Sequence, residues 1–313
     1  MTFAFVFPGQ GSQAVGMGQE LAAAFPVAAE VFKIIDEALG KNLTKVMFEG
    51  PEDVLKLTEN AQPALLAVSL AVVRILEGEG GLDLSSQVKY VAGHSMGEYS
   101  ALAAAGTFSL PDAAKLLNTR GRAMQAAVPV GEGSMAALLG LDMDVASKIA
   151  DEAGQGEICT TANDNANGQV VISGTKTAVE RAILIAKDYG AKRAVLLPVS
   201  APFHCALMAP AADIMAEALS SVRMNAPVIP LVANVTAGEV SDAAEIRRLL
   251  VEQVTGMVRW RESILYMRAN GIDQLVEIGT GKVLSGLTRR IDSKMTSQSI
   301  GTPEDINFFF KSL

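Results

Sequence analysis

The clearest chemical feature of this chain is Ser95, the central residue of the stretch GHSMG at 93–97. An apolar strand pattern, VKYVAG (88–93), precedes the serine, and an alanine-rich helical pattern follows it over 97–105. A strand, a Gly-x-Ser-x-Gly turn and a helix form a nucleophile elbow, in which the helix N-terminus offers free N–H groups to an oxyanion. A helix-capping serine between incidental glycines has the same short pattern, but the flanking elements favour a nucleophile.

A serine nucleophile needs a general base, and the chain contains two histidines, His94 and His204. His94 directly precedes Ser95 in the turn, so we expect its side chain to point away from the serine. His204 lies in APFHCALM, in a loop just before a helical pattern, and is the better candidate. The acid of a triad is not evident, because Asp164 and Asp188 lie in a predicted insert and neither stands at an obvious strand end. A thioester substrate tolerates this, since a thiolate leaves more easily than an amine.

The glycine-rich loop FPGQGSQAVGMG follows the first predicted strand and formally matches a dinucleotide fingerprint. The acidic residue that should close a second strand is missing, because the chain there is helical. We expect the loop instead to bring the Gln10 N–H beside the elbow, where it completes an oxyanion hole with the Met96 N–H.

Arginine side chains in the helical stretch LLNTRGRAMQAA could bind an anion. Arg120 and Arg122 are two positions apart and therefore fall on different faces of the helix. An inward-facing Arg120 would need an anionic partner, and a substrate carboxylate would serve. A solvated surface charge remains the alternative at this point.

The composition indicates a compact enzyme. The chain has 313 residues, of which 50% are hydrophobic and 19% charged, and a net charge of −8 that excludes broad nucleic-acid binding. Two cysteines without a CxxC pair or metal-ligand spacing predict no disulfide framework and no metal site. The N-terminus shows no signal-peptide pattern, and the apolar run QPALLAVSLAVVRIL is interrupted and short for a membrane span. We therefore expect a cytoplasmic protein with no membrane contact.

Strand patterns alternate with helical patterns, which predicts an α/β fold with a mostly parallel sheet. Residues 128–199 have the order βαββαβ, which is the ferredoxin-like pattern. The sequence therefore predicts a discontinuous catalytic subdomain (1–127 and 200–313) with this small subdomain inserted. One long helical segment is expected over about 242–270.

Taken together, the motifs make the chain similar to the malonyl-CoA:acyl carrier protein transacylase family over essentially its whole length. The motifs that carry the resemblance are FVFPGQGSQ, ENAQPALLAVSLA, AGHSMGEYSALAAAG, RGRAMQ, ANDNANGQVVISG, APFHCALM, VANVTAG, LVEQVTGMVRW and VEIGTGKVLSGL. The resemblance implies a hydrolase-like core with a ferredoxin-like insert, and a site in the cleft between them. It also implies ping-pong transfer of malonyl from malonyl-CoA to the phosphopantetheine thiol of acyl carrier protein, for fatty acid synthesis.

The resemblance assigns roles to the residues singled out above. Ser95 would carry the malonyl ester and His204 would be its base, while the Gln10 and Met96 amides would hold the oxyanion. Arg120 would bind the free malonyl carboxylate. The residue after the nucleophile is commonly leucine in the family, but a methionine there leaves the amide donor unaffected.

The resemblance adds four supporting residues. The main-chain carbonyl of Gln253 would orient the base, which would explain the missing acid. Gln62 and Asn163 match further positions near the site. Phe203 matches an aromatic residue that crowds out an α-methyl group in malonyl-selective enzymes, so selectivity against methylmalonyl should be real but finite.

The resemblance implies no permanently bound cofactor, a coenzyme A thioester as substrate and an acidic holo-acyl carrier protein as partner. An enzyme of net charge −8 must meet an acidic partner through a local basic patch. Candidates for the patch are Lys115, Arg122, Arg193, Lys282, Arg289 and Arg290. Nothing in the sequence requires more than a monomer.

Three alternatives stay open on the sequence alone. A serine thioesterase or esterase shares the elbow and histidine but passes the acyl group to water. A freestanding acyltransferase could serve a polyketide synthase. A catalytically idle carrier-binding module is disfavoured by the intact serine, histidine and oxyanion loop.

Overall fold

The described part of the chain folds around two separate sheets, one of six strands and one of four. The structure is a computed structural model that describes residues 3–311, so the outer ends of the predicted catalytic subdomain, 1–2 and 312–313, lie outside the described residues. The elements before the second sheet are β1 (Phe3–Phe7), α1 (Gln19–Ala24), α2 (Pro26–Leu39), α3 (Leu43–Glu49), α4 (Glu52–Lys56), α5 (Thr58–Gly78), α6 (Leu84–Gln87), β2 (Val88–Gly93), α7 (Gly97–Ala104) and α8 (Leu110–Ala126).

The four-stranded sheet is antiparallel and has the spatial order β4-β5-β3-β6. Its elements are β3 (Gly133–Leu139), α9 (Met143–Gly154), β4 (Cys159–Ala166), β5 (Gln169–Thr175), α10 (Lys176–Asp188) and β6 (Arg193–Leu196). Alternate residues of β3 and β5, such as Leu138 and Ile172, face the two helices and form a core of their own. This alternation is why these short stretches form strands of a sheet that is covered by helices on one face.

The last third of the chain returns to the first sheet. After a 3₁₀ turn at Ala206–Met208, its elements are α11 (Ala209–Ser220), β7 (Leu231–Val232), β8 (Glu239–Val240), α12 (Ala243–Thr255), α13 (Trp260–Ala269), β9 (Gln274–Ile278), α14 (Val283–Ile291), β10 (Thr296–Ile300) and α15 (Pro303–Phe310). In α15 Ile306 and Phe309 are buried, and Phe309 meets Phe3 edge-on at 6.2 Å between ring centroids, whereas Phe308 is exposed.

The single helix expected over about 242–270 is wrong, because the chain forms two helices, α12 and α13. The backbone is extended at Gly256, and the following residues hydrogen-bond to the second sheet. Val258 N–H donates to Ala162 O at 2.9 Å, and Asp164 N–H donates to Val258 O at 2.9 Å. These bonds replace about one turn of helix and tie the segment between α12 and α13 to β4.

The order of the six-stranded sheet, β10-β9-β1-β2-β7-β8, places β1 at its centre. All neighbours are parallel except β7 and β8. The pairing of Phe7 with Gly93 aligns the carboxyl ends of β1 and β2 at one edge. Loops at the carboxyl ends of parallel strands are where such sheets bind ligands, so the β1 loop and the elbow share the functional edge.

The apolar run in α5 was expected to be too short to span a membrane. The expectation about length is wrong, because the helix that contains the run is longer than the run itself. The helix Thr58–Gly78 has 21 residues and is long and apolar enough to cross a membrane by length and composition. Buried residues make up 83% of its apolar window, however, and it packs against α2 and α8. Ser69 does not interrupt it, because its hydroxyl donates to Ile278 O at 2.9 Å. The run is a core helix.

Candidate active site

Ser95 lies at the tip of a strained turn between β2 and α7. Its φ is +53°, in the left-handed region that residues with a side chain rarely adopt. A Cβ at Gly93 would lie 1.9 Å from the carbonyl carbon of Gly97. Only glycine therefore lets the chain fold back so closely. This close turn holds Ser95 directly before the N-terminus of α7.

The loop after β1 packs directly on this turn. A Cβ at Gly97 would lie 2.3 Å from Phe7 O, and one at Gly9 would lie 2.8 Å from His94 O. Within residues 3–311 neither the Gln10 N–H nor the Met96 N–H donates to a protein acceptor. Two free amide donors on touching segments suit the stabilisation of an oxyanion.

Gly97→Ala is expected to destabilise the fold by about 1–3 kcal/mol, because the new methyl group overlaps a backbone carbonyl that cannot rotate away. Thermal or urea unfolding measures the loss. Gly286→Ala is the matched control, since its Cβ would meet no atom within 4 Å in helix α14. Equal stability of the two variants would contradict the close approach of the elbow to the β1 loop.

His204 is in hydrogen-bond contact with the nucleophile. Its Nε2 lies 2.7 Å from Ser95 Oγ, and its Nδ1 lies 2.9 Å from Gln253 O and 3.1 Å from Gly256 O. A carbonyl oxygen only accepts, so the proton resides on Nδ1 and Nε2 is free to accept from the serine. Asp164 is not the third member of this site, because it pairs with Arg261 at 2.7 Å.

The environment of His204 keeps the imidazole neutral. Burial, followed by the charge of Arg120, lowers the pKa of His204 from its ordinary value of 6.5 to about 3. The ring is therefore an active base across the neutral range. A depressed folded-state pKa also means that its contribution to stability is present above about 6.5 and is lost as the pH falls towards 3.

The rate of Ser95 modification by phenylmethylsulfonyl fluoride, a neutral reagent, is expected to stay level or change little between pH 8 and pH 5. The physical reason is that His204 does not protonate in this window. The measurement is the inactivation rate constant against pH, with circular dichroism to show that the protein remains folded. A titration of this rate with a midpoint near 6.5 would contradict the neutral, buried histidine.

Arg120 faces inward and is 1% exposed. Its Nη2 donates to Ser95 Oγ at 3.1 Å and to Gln253 Oε1 at 2.9 Å, while its Nη1 donates to Gln62 Oε1 at 3.1 Å. Burial lowers the pKa of Arg120, but a guanidinium stays charged in proteins. The acceptors around it are neutral, so an anion beside Ser95 would be strongly favoured.

Two residues that sequence reasoning missed, Asn234 and Glu98, lie beneath the elbow. Asn234 Oδ1 accepts from Ser95 N at 2.8 Å, and its Nδ2 donates to Gly93 O at 2.7 Å. Glu98 Oε2 accepts from Asn234 N at 3.0 Å and from Gln253 Nε2 at 3.1 Å. A charged residue inside an otherwise apolar, alanine-rich helix was the signal that could have found Glu98.

The remaining predicted residues make no hydrogen bond to Ser95 or His204 in the described part of the chain. Asn163 lies on β4, where it forms a backbone bridge with Val258, and among the described residues its side chain makes no hydrogen bond to Ser95 or His204. Phe203 precedes the base and packs, partly buried, against the main core and against a small apolar cluster of the second sheet. The other histidine, His94, points to Asn165 at 2.8 Å and away from the nucleophile.

A cavity of about 450 Å³ opens beside the histidine, between β4 and the C-terminal end of α12. Its walls include Thr160 and Thr161 from β4, and Thr255 and Met257 from the other side. In the described part of the chain, no group of three or more histidine, cysteine or acidic side chains is arranged to hold a metal ion. The six basic candidates for a docking patch, Lys115, Arg122, Arg193, Lys282, Arg289 and Arg290, are all exposed.

The arrangement as a whole can perform acyl transfer. A serine with a neutral base at 2.7 Å, free amides on the elbow and on the facing loop, and a buried cation at 3.1 Å suit an acyl group that carries its own negative charge. The apolar surroundings strengthen each of these interactions.

Comparisons with known proteins agree with this chemistry. The model of the acyl transferase domain family matches residues 4–299. The malonyl CoA-acyl carrier protein transacylase of Escherichia coli K12 is 46% identical over 96% of both chains. The acyl-carrier-protein S-malonyltransferase of Bartonella henselae is 56% identical, with a TM-score of 0.97 over 100% of this chain and 99% of that one.

A third relative is the malonyl-transacylase in a structure of a type II polyketide synthase acyl carrier protein in complex with its malonyl-transacylase. It is 42% identical, with a TM-score of 0.97 over 100% of both chains. Identity of this level over the full length of each relative goes beyond a shared fold. The chain is an acyltransferase and belongs to the malonyl-CoA:acyl carrier protein transacylase family.

Proposed function

We propose that this protein transfers the malonyl group of malonyl-CoA to the phosphopantetheine thiol of holo-acyl carrier protein, through a malonyl ester on Ser95. The observation that carries the proposal is the buried guanidinium of Arg120, 3.1 Å from Ser95 Oγ. A neutral acyl chain would bring no anion into direct contact with this cation, whereas malonyl brings a free carboxylate to it.

The first half-reaction begins when His204 Nε2 accepts the proton of Ser95 and Oγ attacks the thioester carbonyl. The Gln10 and Met96 amides bind the oxyanion, and Arg120 holds the malonyl carboxylate. The coenzyme A sulfur then leaves and takes the proton from His204. The malonyl-serine ester remains on the enzyme.

The second half-reaction reverses these steps with a different thiol. The phosphopantetheine thiol of the carrier gives its proton to His204 and attacks the ester, and Ser95 recovers its proton as malonyl leaves. Main-chain carbonyls at Gln253 and Gly256 hold the ring throughout, at 2.9 Å and 3.1 Å from Nδ1. A weakly stabilised imidazolium suffices, because thiols and thiolates need little help from an acid.

We place the thioester in the cavity beside His204, with Phe203 crowding an α-methyl group and with Gln62 and Asn163 as supporting residues. The antiparallel unit is proposed as a ferredoxin-like subdomain at 128–199. Its strand order, with β3 and β5 central, supports this.

The carrier would dock through a basic patch drawn from the six exposed candidates, on a monomeric, cytoplasmic enzyme that holds no permanent cofactor. Supply of malonyl groups to fatty acid synthesis is the proposed pathway. The likeness to a transacylase solved with a type II polyketide synthase carrier keeps polyketide synthesis as a second candidate.

The test is to incubate the enzyme with malonyl-CoA and holo-acyl carrier protein and to weigh the products by mass spectrometry. Malonyl-acyl carrier protein as the main product is expected. Free malonate as the main product would overturn the proposal in favour of a thioesterase.

A further inference from the structure

Glu98 is a buried carboxyl group to which the proposed mechanism assigns no part. It lies in the first turn of α7, three residues after the nucleophile, and is 1% exposed. Its Oε2 accepts from Asn234 N at 3.0 Å and from Gln253 Nε2 at 3.1 Å. A buried carboxylate is costly unless it has hydrogen bonds and a nearby opposite charge.

The side chain of Gln253 joins Glu98 to the substrate-facing cation. Its Nε2 donates to Glu98 Oε2 at 3.1 Å, and its Oε1 accepts from Arg120 Nη2 at 2.9 Å. One amide therefore lies between a buried negative charge and a buried positive charge and is polarised by both. The ionisable groups that act on Glu98 in the described structure are Arg120 on α8 and Tyr99 on α7.

We propose that Glu98 is the buried counter-charge of Arg120 in the unloaded enzyme, relayed by Gln253, and that Glu98 takes up a proton when a malonyl carboxylate binds to Arg120. This inference rests on the proposed function. The step is simple in its balance: one proton from solvent adds to the Glu98 carboxylate, and no other bond forms or breaks. Protonated Glu98 keeps an oxygen that can accept from Gln253.

Competition between two carboxylates for one cation is the physical cause. In a buried site two anions near one guanidinium repel each other, so one of them is driven to its neutral form. The malonyl carboxylate contacts Arg120 directly, whereas Glu98 interacts with it only through the Gln253 amide. Glu98 is therefore the group that becomes protonated. Burial already raises the pKa of Glu98 to about 7, so a small further change alters its charge.

The consequence is a pH-dependent preference for charged acyl groups. Because malonyl binding takes up a proton, it is favoured as the pH falls through about 7. Acetyl has no carboxylate and should show no such dependence. Glu98 would thus be a positioning residue that tunes Arg120 for its substrate.

The test counts protons with a pH indicator in weakly buffered solution at pH 7.5, as malonyl-CoA is added to stoichiometric enzyme. The wild type is expected to take up about half a proton or more per malonyl-serine formed, and far less with acetyl-CoA. The Glu98→Gln side chain keeps an oxygen acceptor but cannot titrate. Proton uptake on malonyl loading should therefore disappear in this variant. Glu252→Gln is the matched control, because Glu252 is an exposed neighbour of Gln253 on the same helix.

The outcomes separate the two proposals. Intact-protein mass spectrometry reports whether malonyl loads, and failure to load would overturn the proposed function itself. Normal loading with equal proton counts for malonyl-CoA and acetyl-CoA in the wild type would overturn the role of Glu98 alone. Uptake that persists in Glu98→Gln would do the same, since the proton would then reside elsewhere.

Discussion

Ser95→Ala is expected to abolish loading of the enzyme by malonyl-CoA and to lower the rate of malonyl transfer by at least about 10⁴-fold. The variant keeps the turn and the buried cation but has no oxygen to form the ester. Intact-protein mass spectrometry after mixing with malonyl-CoA measures the loading, and the appearance of malonyl-acyl carrier protein measures the transfer.

Ser100→Ala is the matched control for this variant. Ser100 lies on α7, the helix that follows the elbow, is buried, and its hydroxyl has no hydrogen-bond partner in the described structure. We therefore expect loading close to that of the wild type. Stable malonylation of the Ser95→Ala protein would remove the serine from its assigned role.

Arg120→Ala is expected to lower kcat/KM for malonyl-CoA by about 10²–10³-fold, because the malonyl carboxylate would be left without its charged partner in an apolar site. The loss should not extend to acetyl-CoA, which has no carboxylate, so the malonyl/acetyl preference should collapse. Competition between the two thioesters for Ser95, read by mass spectrometry of the loaded enzyme, measures the ratio.

Arg122→Ala controls for the loss of a positive charge on the same helix. Arg122 is exposed and pairs with Glu59 at 3.6 Å, so the loading preference should not change. An Arg120→Ala enzyme that still prefers malonyl as strongly as the wild type would show that another group recognises the carboxylate.

Features that depend on neighbours in the chain were predictable. The limits of β2 follow from the apolar run VKYVAG, and the Gly-x-Ser-x-Gly spacing indicates the turn that Ser95 occupies with a φ of +53°. The βαββαβ order of elements in the insert also follows from local patterns. These signals are short-range, so one sequence contains them.

Features that depend on distant contacts were not predictable in the same way. The break between α12 and α13 arises because Val258 hydrogen-bonds to Ala162, a residue on the second sheet. The bond between Glu98 and Asn234 joins residues 136 positions apart, and no spacing rule reveals it. The apolar run in α5 appeared interrupted at Ser69 only because its backbone acceptor, Ile278, is far away in the chain.

The site residues lie between these two cases. His204 was predictable as the base because the chain has two histidines and His94 lies in the turn itself. Helical geometry indicated that Arg120 could face inward. The sequence gives no distance from Ser95 for either residue. The structure brings both within 3.1 Å of Ser95 Oγ, while Asn163 has no such contact among the described residues.

The central claim, that Ser95 passes malonyl from one thiol to another, is tested most directly in a single turnover. Enzyme loaded with isotope-labelled malonyl-CoA is freed of coenzyme A and mixed with holo-acyl carrier protein in one portion and with buffer in another. We predict that the label leaves Ser95 rapidly and appears on the carrier only in the first portion. Release of the label as free malonate at the same rate in both portions would contradict the account.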